Sequence, residues 1–289
     1  MKIKLLLFGC LLMAGWLKAQ TTLQVVTLTQ QKTASWKPGY VVEINGEKAE
    51  VVVEPATGNT ITVRAELSAK HPNLDLAKAD VKAWKLVVST VGKKIYIRVY
   101  IGLPAGKPLP ESNLKAKITV QIPAQCPVKL YNKFGQATLD RLQGPVALSG
   151  EFCAFTLTNL SGKIDVDSRY GNVDGHHLDG PVHIQSKRAD VSLADIGGDC
   201  RVTSEYGAVR VNTGAKTGNL TVDATKSDIV LDVPAQPWHS FDLKAGYGQV
   251  LVPKNLPFTI ENAQAATWQQ GQNRPQVRVS TSFGKITVQ

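Results

Sequence analysis

Residues 134–151 read FGQATLDRLQGPVALSGE. Three more lines of eighteen follow without a gap: FCAFTLTNLSGKIDVDSR (152–169), YGNVDGHHLDGPVHIQSK (170–187) and RADVSLADIGGDCRVTSE (188–205). A fifth line opens at Tyr206. With Phe134 as position 1, position 4 reads Ala137, Phe155, Val173, Val191, Val209, and position 6 reads Leu139, Leu157, Gly175, Leu193, Val211. Position 9 is Leu142, Leu160, Leu178, Ile196; position 13 is Val146, Ile164, Val182, Cys200; position 15 is Leu148, Val166, Ile184, Val202. Self-similarity at a fixed period marks a repeat architecture.

Positions 4 and 6 alternate with polar residues, as on one face of a strand, and positions 13 and 15 do the same for a second strand. Position 11 is glycine in all four lines: Gly144, Gly162, Gly180 and Gly198. A glycine there serves either a positive φ or a close backbone approach at a corner. Each coil is therefore two short strands and two corners. One coil buries too few side chains to offset the entropy of ordering its backbone, so coils must stack. The expected fold is all-β: a parallel β-solenoid with coils of about 18 residues, the period found above, preceded by a strand-rich N-terminal capping region.

Position 1 is an aromatic column: Phe134, Phe152, Tyr170, then Arg188, then Tyr206. The preferred reading is a stabilising ladder with a cation–π contact; the alternative is a stripe on which sugars stack. Around the repeat the pattern loosens. In residues 20–133, strands are expected at 22–29, 60–67, 85–91, 94–101 and 117–122, with a helical turn within 74–84. Asn45-Gly46 between 40–44 and 50–53 predicts a hairpin. After Val211, Leu220 and Val222 resume the second strand and Ile229 and Leu231 the first, with Lys226 in the aromatic column. Trp238-His239 falls in a longer corner. Tyr247-Gly248 restarts a coil with Val250 and Val252, and residues 253–276 form an irregular insertion holding Trp268 and a Gln/Asn-rich run at 269–273. Val277, Val279, Ile286 and Val288 complete the series, and the last strand is expected to be an open edge unless the insertion covers it.

The first 19 residues carry Lys2 and Lys4, an apolar run over 5–16 and Ala19, which reads as a secretory signal peptide. That divides the chain into 1–19, the N-terminal region 20–133 and the repeats 134–289. Leu7-Phe8-Gly9-Cys10 offers a lesser alternative of lipid anchoring at Cys10, and no later apolar segment reaches spanning length. The formal charge of +10 includes Lys2, Lys4 and Lys18. Basic residues are scattered rather than clustered, so nucleic acid is not an expected partner. A cell-surface or extracellular polymer, or an envelope protein, is. Cys126, Cys153 and Cys200 are expected to remain unbridged, with Cys200 in a core column.

The pairs Phe134-Gly135, Tyr170-Gly171, Tyr206-Gly207, Tyr247-Gly248 and Phe283-Gly284, each followed by alternating apolar residues, carry a resemblance. So does the strand ending Ile122-Pro123 before 128–135. Over roughly residues 40–289, the chain resembles the bacterial "putative adhesin" family of secreted β-solenoid proteins of unknown biochemical function. The resemblance implies a cell-envelope location and brings no catalytic motif. Cys153, Arg188 and the insertion before Val277 depart from its pattern.

No cofactor or metal motif stands out. His176, His177 and His183 are the densest histidine group and read as surface residues. Asp165, Asp167, Asp174 and Asp179 invite comparison with polysaccharide-cleaving β-helices, but they occupy different columns and read as solvated. No catalytic, cofactor-binding or metal residue is assigned. The leading expectation is a non-enzymatic, adhesin-like envelope protein. The alternatives are a glycan-binding or glycan-cleaving β-helix and a periplasmic protein-interaction module.

Overall fold

The computed structural model describes residues 22–214, 216–232, 240–269 and 275–289. The signal-peptide segment, Cys10, Trp238-His239 and most of the 269–273 run lie outside them. In chain order the N-terminal elements are β1 (Gln24–Ser35), β2 (Val41–Glu47), β3 (Ala49–Ala56), β4 (Thr60–His71), helix α1 (Leu74–Asp80), β5 (Trp84–Val91), β6 (Lys94–Ile101) and β7 (Asn113–Pro123). The repeat supplies β8 (Val128–Asp140), β9 (Val146–Leu160), β10 (Ile164–Arg169), β11 (Val173–Leu178), β12 (Val182–Lys187), β13 (Val191–Ile196), β14 (Cys200–Glu205) and β15 (Val209–Thr213). Then come β16 (Leu220–Thr225), β17 (Ile229–Asp232), β18 (Ser240–Ala245), β19 (Gln249–Leu251), β20 (Thr259–Asn262), β21 (Ala265–Trp268), β22 (Gln276–Ser282) and β23 (Lys285–Val288).

These strands stack as a parallel β-solenoid with two faces. One face runs β6-β2-β8-β9-β10-β12-β14-β16-β22-β18. The other runs β7-β3-β8-β9-β11-β13-β15-β17-β23-β19. β8 and β9 pass through both faces around a corner. The columns read from the sequence are the core: Leu139, Leu157, Leu142, Ile164, Ile184, Val202 and Val209 are fully buried. Period-2 alternation puts them inward, and in-register stacking joins them into continuous apolar ladders.

The hairpin expected at Asn45-Gly46 does not form. β2 pairs parallel with β6 and β8, β3 pairs parallel with β7 and β8, and the chain turns at Lys48, whose φ is +50°. A tight antiparallel turn would forfeit the parallel register that buries Val42 and Ile44. Gly46 lies inside β2, paired with Asn132, where a Cβ would collide with the Asn132 side chain. The first strand is longer than expected and antiparallel to β4, which is itself antiparallel to β7; β5 likewise covers β6. The helical turn is present, with Asn73 Oδ1 accepting from the backbone N–H of Asp75 at 2.8 Å and of Leu76 at 3.2 Å.

The last strand is not an open edge. β22 and β23 lie between the 220–232 coil and the 240–251 coil, so the coil nearest the C-terminus in sequence is not the last in space. The other end mirrors this: β2 and β3 precede β6 and β7 in the chain but sit inside them in the stack. Within the expected insertion, β20 and β21 form an antiparallel hairpin that closes on β18.

The position-11 glycines turn out to serve close approach. Gly144, Gly162, Gly180 and Gly198 are not at positive φ, and an added Cβ on Gly162 or Gly180 would strike the carbonyl of the glycine one coil earlier. The same holds after the aromatic column, where Gly171 faces the Cys153 carbonyl and Gly207 the Ala189 carbonyl. Because the obstacle is backbone, the coil itself must shift to admit a methyl group. Gly207→Ala is expected to destabilise the protein by about 1–3 kcal/mol, read as a lower urea midpoint. An unchanged midpoint would show that the coil spacing is slack.

Candidate functional site

The position-1 column is longer than the repeat. In spatial order it comprises Lys48, Phe134, Phe152, Tyr170, Arg188, Tyr206, Lys226, Phe283 and Tyr247. All but Tyr247 are left-handed, with φ between +50° and +60°. That conformation is unusual for bulky L-residues and places each side chain outward at the corner. The rings stack: Phe134 on Phe152 at 5.2 Å, Phe152 on Tyr170 at 4.7 Å and Tyr247 on Phe283 at 4.7 Å between centroids, all within 13° of parallel. Arg188 lies 5.6 Å from the Tyr170 ring and 5.7 Å from the Tyr206 ring, and Lys226 covers Tyr206 at 4.8 Å while donating to its hydroxyl at 3.0 Å.

This geometry bears on the sugar-stacking alternative. A sugar needs the face of a ring, and from Phe134 to Tyr206 those faces are occupied by the next ring or cation, while Tyr247 at the end of the column stacks on Phe283 by one face and is 75% exposed. What is exposed from Phe134 to Tyr206 is largely ring edge. Trp268, the other aromatic singled out in the sequence, is buried and stacks on Phe241 at 5.4 Å with Phe258 edge-on. It caps the core beneath the β20–β21 hairpin.

A groove not anticipated from the sequence lies on the face containing β2, β8, β9 and β10. Outward residues there form two rows across the strands: Lys129, Ala147, Asp165, His183 and Tyr131, Ser149, Asp167, Gln185. Ala147 and Ser149 are short, so β9 becomes the floor of a trough between walls on β8 and β10, roughly 10 Å apart at two strand spacings. The trough encloses about 570 Å³. On the other side of Tyr131, above Asn45 and Gly46, a second depression of about 330 Å³ runs to Arg98 and Tyr100. Tyr131 therefore stands as a half-exposed ridge between two hollows, and no other ring stacks on it among the described residues.

The relation to known proteins follows from the whole repeat region. The profile of one family, Toastrack DUF4097, matches residues 41–289. The chain belongs to that family. No curated protein matches it. Among solved structures, this Toastrack chain is similar to one from Bacteroides fragilis described as a "putative adhesin", at 12% identity and a TM-score of 0.44, covering 92% of this chain and 97% of that one. A second "putative adhesin", from Parabacteroides merdae, shows 9% identity and a TM-score of 0.39 over 90% of this chain and 96% of that one. A "putative lipid binding protein" from Parabacteroides distasonis shows 10% identity and a TM-score of 0.32, with 90% and 96% covered. The assignment rests on the family profile rather than on these superpositions.

In this Toastrack chain the titratable groups noted in the sequence are dispersed. His183 Nδ1 lies 3.6 Å from Asp165, which also pairs with Lys163 at 2.8 Å, so this histidine has a partner on the groove wall. His177 sits at a left-handed corner, 3.3 Å from Asp195. His176 and Asp174 lie on β11, the opposite face from His183, and Asp179 lies at a corner. Among the described residues no three His, Cys, Asp or Glu side chains converge to hold a metal ion. A larger hollow of about 840 Å³ lies near Phe134, where Lys117 pairs with Glu50 at 2.9 Å.

The three cysteines are buried free thiols. Burial pushes Cys126 and Cys200 up to about 12, from an ordinary value of 9.0, and raises Cys153 against a hydrogen bond from Asn132. The neutral thiol is the form that fits the core, while the unfolded chain ionises near 9.0. The stability from these groups is intact below that pH and is lost as pH rises toward 12. The urea midpoint is expected to fall over that window, and to fall less in a Cys126→Ala/Cys200→Ala variant; equal loss in both proteins would assign alkaline unfolding to other groups. For the ladder, Arg188→Ala is expected to cost about 1 kcal/mol in urea unfolding through its two ring contacts, with Arg188→Lys recovering part of it. No loss in Arg188→Ala would remove the cation from the account of corner stability.

Proposed function

We propose that this chain is an exported, non-enzymatic, adhesin-like protein of the cell envelope that presents a rigid solenoid surface for adhesion or assembly. The observation that carries the reading is the register of the outward side chains. One face holds ten parallel strands in continuous register, an array roughly 45 Å long at about 4.8 Å per strand. Such a surface is ordered by backbone hydrogen bonds and a buried core, so its backbone meets a partner with little further loss of conformational entropy. The basic, apolar N-terminal segment supports export. No helix among the described residues is long and apolar enough to cross a membrane.

The test is protease shaving of intact cells that make the protein, with a periplasmic protein as internal control, followed by attachment of those cells to a coated surface. Adhesion predicts release of solenoid fragments from intact cells and weaker attachment after shaving. Protection until the outer membrane is opened would overturn the surface reading and favour a periplasmic protein-interaction module.

A further inference from the structure

We infer that the groove beside Tyr131 binds a neutral glycan chain laid across the coils. The inference rests on the adhesin-like reading and names its ligand class. Recognition of a pyranose requires an aromatic face for its C–H surface and fixed polar groups for its hydroxyls. The stacked position-1 rings present mainly edges, whereas Tyr131 offers its ring to two hollows. Its register neighbours, Asn45 and Ser149, are too short to cover it.

The polar groups are placed to match. Asp167 and Gln185 continue the Tyr131 row across the strands, which gives a carboxylate acceptor and an amide that both donates and accepts. In the adjacent row, Asp165 is held by Lys163 and His183, so its carboxylate is fixed before any ligand arrives. A pre-oriented acceptor costs less to engage than a freely rotating one.

Charge selects a neutral chain over an acidic one. Lys129 on the β8 wall makes no ion pair among the described residues; across the trough Asp165 and Asp167 present carboxylate oxygens, although each also pairs with a cation, Lys163 at 2.8 Å and Arg169 at 3.9 Å. An anionic sugar would gain at one wall and lose at the other. A neutral sugar uses both walls as hydrogen-bonding surfaces.

The experiment is calorimetric titration of the purified protein with cellohexaose, laminarihexaose and mannohexaose, with hyaluronan hexasaccharide as the acidic comparison, at low and high salt. At least one neutral hexasaccharide is expected to bind with an affinity that changes little with salt. Tyr131→Ala is expected to weaken it about tenfold, a loss the size of one good stacking contact. Tyr131→Phe should retain it, Ser149→Trp should abolish it by filling the trough, and Tyr170→Ala in the ladder should leave it unchanged. Absence of binding to every neutral probe, binding confined to the acidic one, or binding indifferent to both Tyr131→Ala and Ser149→Trp would each overturn the inference. Cells that still attach while the purified protein ignores these sugars would sink the groove assignment and leave the adhesin-like reading standing. Sugar binding by a protein that shaving cannot reach would do the reverse.

Discussion

The structure depends on left-handed residues at fixed corners of the coils, and above all on the position-1 corner, where the series is longest. An L-residue at φ near +55° pays a local conformational cost of about 1–2 kcal/mol, and glycine would avoid it. The chain instead uses phenylalanine, tyrosine, arginine and lysine, because the same conformation projects those side chains onto their counterparts one coil away. The corner thus converts a backbone penalty into a lateral contact that exists only when coils are stacked. The residue that follows completes the constraint. It is glycine in alternate coils, Gly135, Gly171 and Gly207, where each backbone lies against the carbonyl of Ala49, Cys153 or Ala189. Corner, close approach and parallel register are one requirement viewed from three sides.

Beneath the corner the interior is not wholly apolar. Ser168, Ser204 and Ser227 are buried, and their hydroxyls donate to or face neighbouring groups: Ser168 to the Gly171 carbonyl, Ser204 toward Ser227 at 3.5 Å, Ser227 to the Thr225 carbonyl at 3.1 Å. At the N-terminal end Asn132 fills the equivalent place and donates to the Ala49 carbonyl at 2.9 Å. Small hydroxyl and amide groups suit this strip because tight turns bring backbone carbonyls inward, and a purely aliphatic lining would leave more of them unpaired. At the same corner, Asn172, Asp190 and Asp228 use side-chain oxygens to accept the backbone N–H of the next coil at 2.8–3.0 Å. Polar residues that look interchangeable in sequence therefore act as rungs.

The repeat core was legible because each inward column obeys one rule, alternation within a strand and identity of role every 18 residues. Leu142, Leu160, Leu178 and Ile196 are all buried as that rule requires. The Asn45-Gly46 turn misled because its local preference for a hairpin was outweighed by the parallel partners on both sides of β2, which lie 50 to 90 residues away in sequence. The role of the position-11 glycines needed the neighbouring coil in place, since nothing in one coil distinguishes close approach from positive φ. The groove was present in the sequence as the outward columns Lys129-Ala147-Asp165 and Tyr131-Ser149-Asp167. Reading it required attention to the residues that do not build the core, where a short side chain between two longer ones becomes a hollow.

The intercalated coils at the two ends constrain how the molecule can assemble. Among the described residues, strands β18 and β19 find their parallel partners only in β22 and β23, which follow them in the chain. As the polypeptide emerges in order, the segment 240–251 has no template to dock on, and the exposed coil 220–232 must wait for residues 276–288. The local β20–β21 hairpin can form first, because only two residues separate its strands and closing so short a loop costs little entropy. Closure of the end is then a late event that threads the last coil between a finished stack and a preformed cap. Growth of this solenoid is sequential through the middle and cooperative at its ends.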